Sequence, residues 1–167
     1  MTKPKYPAFV GSERELLENH LEHNRLTVRH KVAGLTFDLA TKRLGNSHTS
    51  AAGIVKHLTD VEGWWFRRFL NGEEWLGIST KENPDAEFDI DANETVETLL
   101  DEYDRACELS RGICRNFQLD DLSKRPYRND LSPSLRWIYL HMIEEIARHN
   151  GHLDIYRELL DGTTDGD

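Results

Sequence analysis

Apolar residues recur at spacings of three and four along four long stretches of this chain, and nowhere do they alternate as a half-buried strand requires. That periodicity limits the chain to helices. Glu13 to about Val32 reads as the first, with Ser12 as N-cap and Gly34 placed for a C-cap. Its stripe is Leu17, Leu21, Val28 and Val32, with Asn24 and Leu35 continuing the spacing. A second helix begins near Thr49 or Ser50, where Ser47, Thr49 and Ser50 all offer capping oxygens. It carries Ala51, Ile54, Leu58, Val61, Trp65 and Phe69 to a stop at Asn71-Gly72. The third runs from about Glu94 to Phe117. The fourth is the longest, from about Pro133 to Leu160, with Ser132 as N-cap, Pro133 in the first position and Asp161-Gly162 as its close.

Between these lie a possible single helical turn at Leu39-Ala40-Thr41, an acidic stretch from Leu76 to Asn93, and a polar connection from Gln118 to Asp130. The acidic stretch has no sustained period and reads as a surface loop over one end of the bundle. The tail Thr163 to Asp167 is expected to fray. Four helices with one apolar stripe each must bury those stripes against one another. The expected fold is therefore an all-α four-helix bundle with long connecting loops, a single domain over residues 1–167 with its core at about 13–162.

Composition narrows the partners. The 167 residues are 31% charged and 38% hydrophobic, with a formal net charge of −9. A surface of that sign repels nucleic-acid backbones and anionic membranes, so neither is expected as a partner. No run approaches the roughly 18 apolar residues of a membrane span. The opening Met1-Thr2-Lys3-Pro4-Lys5-Tyr6-Pro7 has no apolar h-region, which predicts a cytoplasmic protein. Cys107 and Cys114 share one face of the third helix, about 10 Å apart along its axis. That is too far for a disulfide, and both read as small core residues. Trp64 at the edge of the second stripe and Trp75 just beyond it read as exposed tryptophans, which predicts a homodimer.

Some polar residues fall where apolar ones belong. With His141 at the origin and about 100° per residue, Ile138, Tyr156, Met142, Leu135, Leu153 and Ile146 of the fourth helix span about 60° to 140°. His149 falls near 80°, inside that face, Glu145 near 40° and His152 near 20°. A carboxylate on an apolar stripe is costly unless it is paired or bound to a metal. Glu145 and His149 are four apart and point the same way, a spacing used by inward-facing ligands in helical bundles. His57 borders the apolar stripe of the second helix beside Ile54, Val61 and Trp65. Two facing helices would join His57, Glu145 and His149, and two imidazoles with one carboxylate suit zinc best, with nickel or iron as alternatives. The competing reading is a plain hydrogen-bonded Glu–His pair. His152 lies two turns from Glu145, at roughly 10 Å of rise, so it is expected to stand beside the ligands and not among them. His20, His23, His30 and His48 show no ligand spacing and read as surface residues.

The segments Gly53-Ile54-Val55-Lys56-His57-Leu58-Thr59-Asp60-Val61-Glu62-Gly63-Trp64-Trp65-Phe66 and His141-Met142-Ile143-Glu144-Glu145-Ile146-Ala147-Arg148-His149-Asn150-Gly151-His152-Leu153-Asp154 resemble two signatures of the DinB-like superfamily. The resemblance runs from about Glu13 to Gly162, to a mainly actinobacterial branch. It implies a four-helix bundle holding a divalent metal. Many relatives use three histidines; here His57 and His149 match, and Glu145 replaces the middle one. The mycothiol-dependent maleylpyruvate isomerases are similar in pairing two histidines with a glutamate. The resemblance thus implies a low-molecular-weight thiol cofactor, a small-molecule substrate, and an S-transferase or isomerase. A metal-dependent hydrolase, with His152 or Glu62 handling protons, is the alternative enzyme. A non-catalytic binder of a small molecule or stress ligand is the third reading. Arg125, Tyr127 and Arg128 in the last loop are candidates for contacting an anionic thiol.

Overall fold

The computed structural model describes residues 3–46 and 48–164. The capping role considered for Ser47 and the fraying expected at Asp165-Gly166-Asp167 lie outside the described residues. Helix α1 spans Glu13–Val32, a short α2 spans Phe37–Thr41, α3 spans Ala51–Glu62, α4 spans Val96–Cys114 and α5 spans Leu135–Asp161. The helix of α3 continues without a break as a π-helix over Gly63–Leu70. One turn of 3₁₀-helix follows at Ala86–Phe88. The expected all-α architecture is what the chain adopts, with α2 as a fifth, minor helix. No helix among the described residues is long and apolar enough to cross a membrane.

Each long helix starts where a side chain answers its free amides. Ser12 and Glu15 form a reciprocal capping box, Ser50 accepts from the Gly53 amide, and Thr95 pairs with Thr98. The start of α5 differs from the Ser132–Pro133 expectation: Ser134 is the N-cap. The preceding connection folds back first, with the Ser123 amide bonded to the Pro133 carbonyl at 2.8 Å. That pairing keeps Pro133 outside the helix. The carbonyls of Asp121 and Leu119 then accept from the first-turn amides of Leu135 and Arg136.

Helix α1 packs mainly along α5, and α3 mainly along α4. The core between them contains Leu21, Val28, Ile54, Leu58, Phe66, Leu99, Tyr103, Ile138, Met142, Ile146 and Leu153, all at most 2% exposed. Cys107 and Cys114 are free and buried, as their spacing predicts, and burial pushes both thiols up, Cys114 to about 11. Neither supplies a thiolate at neutral pH.

The π segment changes which residues the second long helix buries. Bonds to the fifth residue back, such as the Asn71 amide to the Phe66 carbonyl, widen the turn. Trp65, Phe66, Phe69 and Leu70 all reach the core, whereas Val61 is only half-buried. The tryptophans expected on the surface are half-buried too. Trp75 lies flat on Gly63, where a Cβ would meet its ring at 2.5 Å, and donates to Asp60 at 3.1 Å. Trp64 lies beneath the Arg68 guanidinium. Both residues are thus only partly exposed, each packed against a neighbour in the same chain.

The acidic stretch is more than a surface loop. It runs along α3 as a strap fastened at three places. Trp75 and Asp60 hold one end. Lys56 holds the other, bonding the Asp89 carbonyl at 2.7 Å and Glu94 at 3.0 Å. At Gly53 the backbone of Phe88 comes so near that a Cβ would sit 2.8 Å from its carbonyl oxygen.

Candidate metal centre

His57 projects from the middle of α3, and Glu145 and His149 project from successive turns of α5. Glu145 Oε1 stands 3.3 Å from His57 Nε2 and 3.3 Å from His149 Nε2. The two rings lie 4.8 Å apart between centroids. One ligand atom from each residue falls within 4.8 Å of the others. The side chains are only 12%, 24% and 10% exposed, which places the cluster inside the bundle wall, within reach of solvent.

The spacing can be compared with two explanations of the cluster. A charge-assisted N–H···O bond closes to about 2.7–2.9 Å. Ligand atoms arranged tetrahedrally at about 2.1 Å from one ion stand about 3.4 Å apart. The two 3.3 Å separations are long for a charge-assisted bond and near the second figure, while the three ligand atoms together span up to 4.8 Å. The donor set, two imidazole nitrogens and one carboxylate oxygen, is also that of an open zinc site. These residues fit a divalent metal.

The electrostatics favour positive charge at the cluster. Burial opposes a charge on His57, but its hydrogen bonds to Glu145 and Glu87 overcome this and push its pKa up to about 9. Contacts from His149 and His57 hold the Glu145 carboxyl well below the usual carboxylate range, against the effect of burial. Among the described residues no sequence pattern singled out Glu87. Its Oε1 meets His57 Nδ1 at 3.0 Å, from the strap, and the Phe88 ring stacks on the same imidazole at 4.8 Å. Several acidic residues occupy that stretch, and only its packing on α3 distinguishes this one.

A family model for mycothiol-S-transferases matches residues 16–162, nearly the whole chain. The chain belongs to that family. A conserved protein from Enterococcus faecalis, known as a crystal structure, resembles this mycothiol-S-transferase family member with a TM-score of 0.63. The likeness covers 92% of this chain and 100% of that one at 15% identity, and so concerns the fold alone. No curated protein matches the chain.

The remaining site residues of this mycothiol-S-transferase family member are dispersed. His152 is exposed, its ring edge-on to His149 at 5.5 Å between centroids. Burial and the neighbouring His149 lower its pKa. Glu62 is a correction. It lies about 140° around α3 from His57. It is 0% exposed and bonded through both oxygens to Arg25 of α1, at 2.8 and 2.7 Å. A carboxylate so enclosed does not reach a substrate at the cluster. Arg125 is already engaged by the Gly72 carbonyl and Glu74. Arg128 stacks on Tyr127 at the rim of a mostly apolar groove of about 650 Å³ with Leu131, Trp137 and His141. His141 itself stacks on Trp137 and meets Trp65 edge-on. Of the four other histidines, His20 and His48 are exposed, while His23 and His30 are half-buried.

Proposed function

We propose that this protein transfers a low-molecular-weight thiol of the mycothiol type to an electrophilic small molecule, with a divalent metal, zinc by preference, held by His57, Glu145 and His149. The observation that carries the proposal is the convergence of those three side chains, at ligand spacing, in a chain of the mycothiol-S-transferase family. When bound, the metal supplies a Lewis-acid position that lowers the pKa of the thiol. The chain's own residues do the rest. Three protein ligands leave room for a sulfur. His152, its pKa lowered, is neutral at pH 7 and stands beside His149 to accept the thiol proton. The apolar groove begins at His141, one helical turn before Glu145, and suits an apolar electrophile, with Arg128 at its rim for an anionic substituent. There the thiol gives its proton to His152, its sulfur forms a bond to the electrophilic carbon, and the bond from that carbon to the leaving group breaks, the leaving group departing with the electron pair.

The test is consumption of monochlorobimane by zinc-loaded protein with and without mycothiol. Thiol-dependent consumption that disappears in His57→Ala and His149→Ala supports the proposal. Substrate turnover without thiol supports metal-assisted hydrolysis instead, and no turnover with either, alongside tight ligand binding, supports a non-catalytic role.

A further inference from the structure

The two histidines of the cluster are held differently. His149 uses Nε2 toward Glu145, while its Nδ1 is buried without a hydrogen-bond partner. His57 is bound at both nitrogens, Nε2 facing Glu145 and Nδ1 facing Glu87. The Phe88 ring covers one face of the same imidazole, nearly parallel to it. Glu87 and Phe88 come from one turn of 3₁₀-helix, and that turn is pressed onto α3 at Gly53 and tied by Lys56. The arrangement is braced well beyond what a surface loop needs.

We propose that Glu87 is a positioning residue that prepares His57 to hold the metal. The inference rests on the metal reading given above. A carboxylate accepts hydrogen bonds and, when ionised, cannot donate them, so the Glu87 contact requires a hydrogen on Nδ1. In the neutral ring that leaves the lone pair on Nε2, the atom that faces Glu145 and His149. The same contact fixes the ring about its long axis, and a carboxylate behind an imidazole raises its basicity as a ligand. Glu87 thus selects the tautomer, orients the ring and adds negative charge behind the donor, without touching the metal itself. His149 has no such support, so the α3 side of the site is the organised one and the α5 side follows it.

Zinc affinity, measured by competition with a chromophoric chelator, tests this in the wild type, Glu87→Ala and Glu87→Gln. Glu87→Ala should weaken zinc binding about 10- to 100-fold, the range found when such partners are removed. Glu87→Gln keeps an accepting oxygen and should recover most of that loss, which a general disturbance of the loop would not allow. A second readout is the His57 Nδ1–H proton in nitrogen-resolved NMR of the zinc-loaded protein. It should be protected from exchange in the wild type and lost to solvent in Glu87→Ala. Circular dichroism confirms that the variants fold. Zinc affinity in Glu87→Ala within twofold of the wild type would overturn the proposal and leave the metal reading intact. A wild type without zinc affinity would overturn both.

Discussion

Helix α3 carries two buried polar groups on opposite sides, and they differ in completeness. Toward α1, Glu62 meets Arg25 through two short parallel bonds, and both side chains are almost wholly enclosed. Every lone pair of consequence has its hydrogen. Toward α5, His57 meets Glu145 at 3.3 Å, and the same oxygen also serves His149 at 3.3 Å. One acceptor is shared by two nitrogens, and neither contact is short. Both groups are anomalies on apolar stripes, and burial is greater for the closed pair. A closed ion pair is a structural bond, whereas an underfilled cluster with solvent access is a site for something else.

The contrast can be broken first at the closed pair. Glu62→Ala leaves the Arg25 guanidinium buried with only Glu22, at 3.8 Å, as a counter-charge, which should cost about 3–5 kcal/mol in chemical denaturation. Zinc stoichiometry of the folded fraction should be unchanged. Metal loss on that side would mean the two groups are coupled across the helix.

The open cluster should respond in the reverse sense. His149→Ala should lower zinc content from about one equivalent to near none by elemental analysis of protein purified without a nickel column. The metal-free fold should keep its melting temperature to within a few degrees, about 1 kcal/mol of stability or less, because the lost contact is long. Full zinc occupancy in a His57→Ala, His149→Ala double variant would refute the ligand assignment.

The cluster also predicts a pH dependence for the metal-free protein. His57 has a folded pKa of about 9 against an ordinary 6.5. The raised value means that protonated His57 stabilises the fold below about pH 6.5, and the contribution is lost as pH rises through about 9. Metal-free protein should therefore be less stable at pH 9 than at pH 6.5, by about 2–3 kcal/mol in chemical denaturation. Zinc-loaded protein should not show this fall, since its imidazole is neutral throughout. Parallel melting curves for the two forms would count against a shared cation position.

The smallest expected effect on metal belongs to His152. His152→Ala should leave zinc content within experimental error while lowering thiol-dependent turnover about 100-fold, the low end of what a positioned proton acceptor contributes. Equal metal loss in His152→Ala and His149→Ala would show that α5 is distorted near Gly151 and that the ligand set is different.

Much of this contrast was readable in the chain itself, and the exceptions share one cause. The four long helices, most of their apolar stripes and the caps at Ser12 and Ser50 depend on residues within a few turns of each other, and these are found where the spacing puts them. Glu62 was misjudged because its partner Arg25 lies 37 positions away on another helix. Glu87 was passed over because it reaches His57 across 30 positions, from a stretch with no period. The start of α5 moved from Ser132 to Ser134 because the preceding connection pairs with itself first. The π segment left no local sign either: Gly63 suits it, but the reason for glycine there is the Trp75 ring. Local patterns locate helices and donor types; contacts made between distant segments decide which donors are finished and which are left open.

Gly53 ties the stability of the strap to the geometry of the site. In the first turn of an exposed helix, replacing glycine by alanine would ordinarily strengthen the protein by about 1 kcal/mol. Here the added methyl would press on the Phe88 carbonyl at 2.8 Å, and that backbone atom has no side-chain freedom with which to yield. The strap would have to lift, carrying Glu87 away from His57. An alanine here would therefore lower the melting temperature and loosen the Glu87–His57 contact together, so one missing methyl serves both the seating of the strap and the orientation of the imidazole.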